Sequence, residues 1–199
     1  MSTRQNNRRF LAGLALLIIF FLPMKAESFS GPTWLLSIPT AEVIPPPEVN
    51  VGFLHLDFGV TPGLELGIHG VKYQWQKESL DRPSLAVGFS LIDGPFIMVS
   101  RRLKDWRGHL GFKLLPYYLM AGIESSGQNK IKFLIEFNDG LNLGCRIRVD
   151  PQWHLDLGAG VGYYPLYHYG SFLQFYRGFP SKMDYYVLVG ICYSFSLTE

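Results

Sequence analysis

Leu141-Asn142-Leu143-Gly144-Cys145-Arg146-Ile147-Arg148-Val149 puts an apolar side chain at every odd position and a polar or absent one at every even position. A period of two is the mark of a β-strand with one apolar face. The preceding stretch, 131–137, keeps the rhythm, with Ile131, Phe133, Ile135 and Phe137 against Lys132 and Glu136. The following stretch, 153–163, sets Trp153, Leu155, Leu157, Ala159, Val161 and Tyr163 against His154, Asp156, Gly158, Gly160 and Gly162. The last alternating stretch, 185–197, carries Tyr185, Val187, Val189, Ile191, Tyr193, Phe195 and Leu197 on one side and Gly190, Cys192, Ser194 and Ser196 on the other.

Weaker alternation spans 49–58, 64–71, 85–91, 96–103, 109–115 and 119–124, and 167–175 is the least regular segment. Turn-forming residues punctuate the series: Thr61-Pro62-Gly63, Asp93-Gly94-Pro95, 125–129, Asn138-Asp139-Gly140 and Asp150-Pro151-Gln152. Strands joined by such short connections form an antiparallel meander. The strands number 11, rising to 12 if Trp34–Ile38 joins the sheet and falling to 10 if 167–175 is a loop. In the 12-strand arrangement Thr61-Pro62-Gly63 and Asn138-Asp139-Gly140 are periplasmic turns, 72–83 and 176–183 are outer loops, and both termini face the periplasm.

Alternation alone fits a soluble sandwich or a lipocalin-like barrel as well as a membrane barrel. The contents of the two faces separate them. Glu65, His69, Lys113, Glu136, Arg146, Arg148, His154 and Asp156 crowd the polar face in mid-strand, among many glycines. A lipocalin turns its apolar face inward, whereas a narrow membrane barrel turns aliphatic side chains to lipid and packs its lumen with small and charged ones. Trp153, Tyr163, Tyr185 and Tyr193 lie near strand ends, where interfacial aromatic residues belong. The expected fold is therefore all-β, an antiparallel up-and-down transmembrane barrel of 10–12 strands.

The N-terminus agrees. Arg4, Arg8 and Arg9 precede a 13-residue apolar run, 10–22, closed by Pro23. The run is too short for a spanning helix, which needs about 20 residues, and has the layout of a signal peptide. The expected division is a signal peptide over 1–26, a segment leading into the barrel over 27–48, and the barrel over 49–199. Removing the leader takes away four of 18 Lys and Arg and none of 16 Asp and Glu, leaving 14 − 16 = −2. That balance gives no reason for nucleic-acid binding. The expected location is a bacterial outer membrane, with its lipid as the immediate partner.

No motif of chemistry stands out. The histidines lack metal-ligand spacing, no Gly-x-Ser-x-Gly elbow is present, and the glycines of 158–162 lack the lysine of a phosphate loop. No catalytic, cofactor-binding or metal residue is assigned, and no cofactor is expected. A rim hydrolase built from Ser125, Ser126, His168 and Asp184 is a remote alternative. Cys145 and Cys192 fall on opposite faces of their strands and are expected to be free. Glu136, Arg146, Arg148, His154 and Asp156 belong to three consecutive strands and aim at one face. They are expected to form a luminal charge network, structural first and gating second.

The stretch Gly31-Pro32-Thr33-Trp34-Leu35-Leu36-Ser37-Ile38-Pro39-Thr40-Ala41-Glu42-Val43-Ile44-Pro45 resembles the opening motif of the YjbH-like outer-membrane proteins, which are associated with exopolysaccharide loci. Pro62-Gly63-Leu64-Glu65-Leu66-Gly67, 134–144 and 189–195 are similar to later strands of that family. The resemblance implies a non-enzymatic barrel assisting polysaccharide export or envelope assembly, with polysaccharide or export-complex proteins as partners. A small solute pore is the alternative.

Overall fold

A computed structural model describes residues 34–52, 55–68, 70–91, 94–114, 117–125, 130–138, 140–162, 172–176 and 184–197. The expected signal peptide lies outside the described residues. Among the described residues the alternating stretches are extended. The strands are β1 (Glu48–Gly52), β2 (His55–Thr61), β3 (Leu64–Gly67), β4 (Gly70–Gln76), β5 (Ser84–Ser90) and β6 (Gly94–Leu103). They continue as β7 (Trp106–Leu114), β8 (Tyr117–Ser125), β9 (Ile131–Phe137), β10 (Gly140–Arg148), β11 (Trp153–Gly162), β12 (Phe172–Tyr176) and β13 (Asp184–Ser196).

Each of β1 to β11 pairs antiparallel with the next, β11 pairs with β13, and β13 returns to β1 through Glu48↔Ser196 to Gly52↔Cys192. The result is a closed 12-strand antiparallel barrel. β12 stands outside this ring, pairing Phe172 to Tyr176 with the first half of β13 above its contact with β1. Closure leaves no open sheet edge among the twelve wall strands. The wall begins and ends at one rim, the proximal rim; the opposite rim is distal.

Two expectations about the wall are corrected. The stretches 49–58 and 64–71 are not single strands: the first divides into the antiparallel pair β1 and β2, the second into the antiparallel pair β3 and β4. Neither connecting pair, Phe53-Leu54 or Ile68-His69, is of the residue types that favour turns; Gly70, after the second, has φ 146°, which a glycine adopts readily. These extra hairpins supply the strand count that Trp34–Ile38 was expected to supply. They also reverse the parity of the later strands. Pro62-Gly63 lies at the proximal rim with residues 77–83, while the β9–β10 connection lies at the distal rim, so the two turns expected together sit at opposite ends.

Residues 34–47 are not in the wall. Trp34 makes a lone antiparallel bridge to Pro39, and the segment turns back on itself inside the barrel. Leu35, Leu36, Ile38 and Ala41 are buried there against Ala86, Phe96, Met98, Met120, Leu134, Tyr186 and Leu188 of the wall. The apolar core of this protein is thus its plugged lumen. The outer face carries a broad set of exposed apolar residues: Phe133 is 59% exposed and Leu143 51%, while their strand neighbours Glu136 and Asn142 are each 1% exposed. Burial inverted in this way is what lipid outside and a filled lumen inside require.

Candidate functional site

The lumen is a polar shaft with a peptide running through it. Its charges come from even or odd positions according to the parity of each strand, and most are paired. Lys72 Nζ lies 3.2 Å from Glu65 Oε1 across the β3–β4 register. Arg146 and Asp156, directly opposite on β10 and β11, form a two-pronged contact, Nε to Oδ1 at 2.8 Å and Nη2 to Oδ2 at 2.9 Å. Buried ions need such partners, because desolvation is otherwise uncompensated. His109 donates or accepts at Nδ1 with Ser100 Oγ, 2.8 Å away, and its Nε2 is 3.7 Å from Glu124.

The wall holds the plug mainly by its backbone. Glu136 accepts from the amides of Leu36 at 3.1 Å, Ser37 at 2.9 Å and Ile38 at 3.4 Å, and from the Ser37 hydroxyl at 2.5 Å. Three successive N–H groups converging on one carboxylate make a backbone nest, with the anion supplied by the barrel. Asn142 Nδ2 donates to the same carboxylate at 2.7 Å and is itself fixed by the Tyr186 hydroxyl. Arg146 spends its remaining capacity on the carbonyls of Trp34 at 2.9 Å and Leu35 at 3.2 Å. Lower down, the Ala41 amide donates to Ser100 Oγ at 2.8 Å, and Ser84 Oγ donates to the Ala41 carbonyl at 3.2 Å. The Ile44 amide donates to Glu65 at 2.9 Å.

Glu42, the charged residue of the plug, pairs with Arg107 of β7, whose other nitrogen is 2.7 Å from Glu78 in the 77–83 loop. The same loop accepts from Arg101 through the Leu80 carbonyl at 3.0 Å and from the Arg102 amide through Glu78 at 2.6 Å. Plug and proximal loop are thereby tied to one cluster of arginines. Space for the plug comes from missing side chains. A Cβ on Gly122 would run into the end of the Leu35 side chain and crowd Ile38, so a side chain here would have to push the plug aside where it presses on β8.

Of the five residues expected to form one charge network, the structure brings Arg146 and Asp156 together and seats Glu136 apart from them on the plug. His154 is half-buried, and Arg148 is exposed at the proximal rim. Both line an open vestibule of about 310 Å³ there, beside Asn50 and Ser194. Asp57, Lys72, Arg101, Arg107, His109 and Glu124, all buried, were missed from the sequence. Parity would have found Lys72 and Arg107 had the stretches 64–71 and 109–115 been drawn to the bounds of β4 and β7; His109 and Glu124 lay within the expected stretches and were not carried into the charged set. The remote hydrolase set does not assemble: Ser125 ends β8 at the proximal rim and Asp184 begins β13 at the distal rim, while Ser126 and His168 lie outside the described residues. Cys145 and Cys192 are free, the first on the outer face and the second in the lumen. Among the described residues no three His, Cys, Asp or Glu side chains converge in a metal-binding group. No family model, no curated protein and no solved structure matches the chain.

Proposed function

We propose that the chain is a plugged, non-enzymatic barrel of the bacterial outer membrane that assists polysaccharide export or envelope assembly, with its proximal rim toward the periplasm. The observation that carries this reading is the plug. A peptide held by Glu136, Arg146, Ser84, Ser100, Glu65 and Arg107 fills the shaft that a solute pore would need open. The apolar outer face supports the membrane assignment, since in water so many exposed aliphatic side chains on one continuous surface would drive association. Export is supported by the leader, and the polysaccharide role by the resemblance of 31–45 to the YjbH-like proteins.

Planar-bilayer recording on the refolded chain tests the plugged reading. Silence at moderate voltage is expected; a steady open conductance would return the pore to first place. Surface polysaccharide measured in cells lacking the chain tests the second half, and an unchanged amount would remove that role.

A further inference from the structure

The two rims differ in chemistry. Proximal turns carry exposed charges of both signs, among them Lys77, Arg82, Lys104, Asp105, Lys130 and Asp150. The short distal connections read Phe53-Leu54, Ile68-His69, Leu91-Ile92-Asp93, Leu115-Pro116 and Asn138-Asp139, with no lysine or arginine. Of the described distal turn residues, Ile68 is 48% exposed and Leu91 72%. A β-turn in water ordinarily carries polar residues, and a large leucine this exposed at a turn is not covered by the described residues around it.

The wall is also uneven in height. Trp75, Trp106 and Trp153 all sit near the proximal ends of β4, β7 and β11 and are partly exposed, marking one membrane–water boundary. From Trp106 to the distal end of β7 is eight residue steps, and from Trp153 to that of β11 is nine. At about 3.3 Å per step and a tilt of about 40°, these climb about 20 and 23 Å along the barrel axis. From Trp75 to Gly70 on β4 is five steps, about 13 Å by the same rule, and neighbouring β3 has only four residues. The apolar layer that a barrel spans is about 25 Å tall. On the β7 to β11 side the wall just reaches the far boundary. On the β2 to β5 side it stops well short.

From these two observations we infer that the distal turns at Ile68 and Leu91 end inside the apolar layer. The acyl chains of the far leaflet then close over the short sector, and the bilayer beside β2 to β5 is thinned. The occupant of this rim sector is bilayer lipid tail, not a headgroup and not a protein: none of the five short distal connections carries a lysine or arginine for a phosphate, those of the distal side, Arg177 and Lys182, belonging to the long β11–β13 connection, while Ile68 and Leu91 continue the apolar belt. Thinning of this kind is the ordinary response to a span shorter than the layer. The inference rests on the membrane assignment above and extends it.

The test places a single environment-sensitive fluorophore on a cysteine in a Cys145→Ser, Cys192→Ala background, with the chain folded into phosphatidylcholine vesicles containing lipid spin-labelled on the acyl chain. Positions are Ile68→Cys and Leu91→Cys, with Leu143→Cys in mid-belt and Asp105→Cys on the proximal rim as references. Quenching at 68 and 91 is expected to match that at 143 and to exceed that at 105 by about twofold or more. Quenching at 143 with none at 68 and 91 would overturn the inference and leave the membrane barrel standing. No quenching at 143 would overturn both. Should a labelled variant not fold, a lipid with a photoreactive diazirine in its tail, used on the unmodified chain, gives the same discrimination. Cross-linked peptides containing 68 and 91 are expected, and their absence alongside cross-links at 141–145 would sink the inference.

Discussion

Replacing Glu136 with alanine removes the group on which the tip of the plug hangs. The carboxylate is 1% exposed and receives the Leu36 and Ser37 amides at 3.1 and 2.9 Å. A buried donor left without an acceptor costs about 1–3 kcal/mol, so two amides give about 2–6 kcal/mol for Glu136→Ala. Glu136→Gln keeps one acceptor oxygen and turns an NH2 toward the remaining donor; it is expected to lose roughly half as much. Equilibrium unfolding in urea from lipid vesicles, followed by tryptophan fluorescence, reads the loss, and Trp34 on the plug itself contributes to the signal. The same Glu136→Ala protein is expected to flicker open in planar bilayers while the parent stays silent. A stability within about 1 kcal/mol of the parent would refute the assignment of Glu136 as the anchor.

Three further outcomes rest on the same geometry. Arg146→Leu strands Asp156 and two plug carbonyls, and is expected to cost about 3–5 kcal/mol in the same unfolding assay; adding Asp156→Leu is expected to restore about half of that. Gly122→Ala is expected to destabilise by about 1–3 kcal/mol through overpacking against Leu35 and Ile38. Leu35→Ala alone is expected to cost about 2–5 kcal/mol, and the double variant to cost less than the sum, because the new methyl fills part of the space vacated. Arg107→Met removes the side chain that ties both Glu42 and Glu78 and so loosens the 77–83 loop; trypsin is expected to cut after Lys77 several times faster than in the parent, with the strands left intact.

How far each part of this structure was legible in the sequence depends on the physics that forms it. Stretches 131–137, 141–149, 153–163 and 185–197 became β9, β10, β11 and β13 with bounds shifted by a residue or two, because a period of two with one apolar face admits no other regular structure. The Arg146–Asp156 pair was within reach for the same reason: the turn at Asp150-Pro151-Gln152 fixes the register that sets them opposite. The β1–β2 and β3–β4 hairpins were not, since Phe53-Leu54 and Ile68-His69 are not residue types that mark a turn in the sequence. Glu136 was read as a partner for nearby charges. Its real partners, Leu36 and Ser37, are about 100 residues away in the chain, and no local rule reaches that far. One imprint of the plug was present all along: Gly122, Gly144 and Gly158 on three different strands leave the space that Leu35 and Leu36 occupy. Glycines in mid-strand at matching depth mark something packed against them.

The central claim is a closed barrel with lipid outside and a filled polar lumen inside, and its most direct measurement is electrophoretic. Closed membrane barrels resist detergent until heated, so the chain taken from an outer-membrane fraction is expected to migrate faster unboiled than boiled on a detergent gel, the boiled form running at the mass of the chain without its leader, below the 22.6 kDa of the full sequence. Identical mobility before and after boiling, or recovery of the chain in the soluble fraction, would contradict the account.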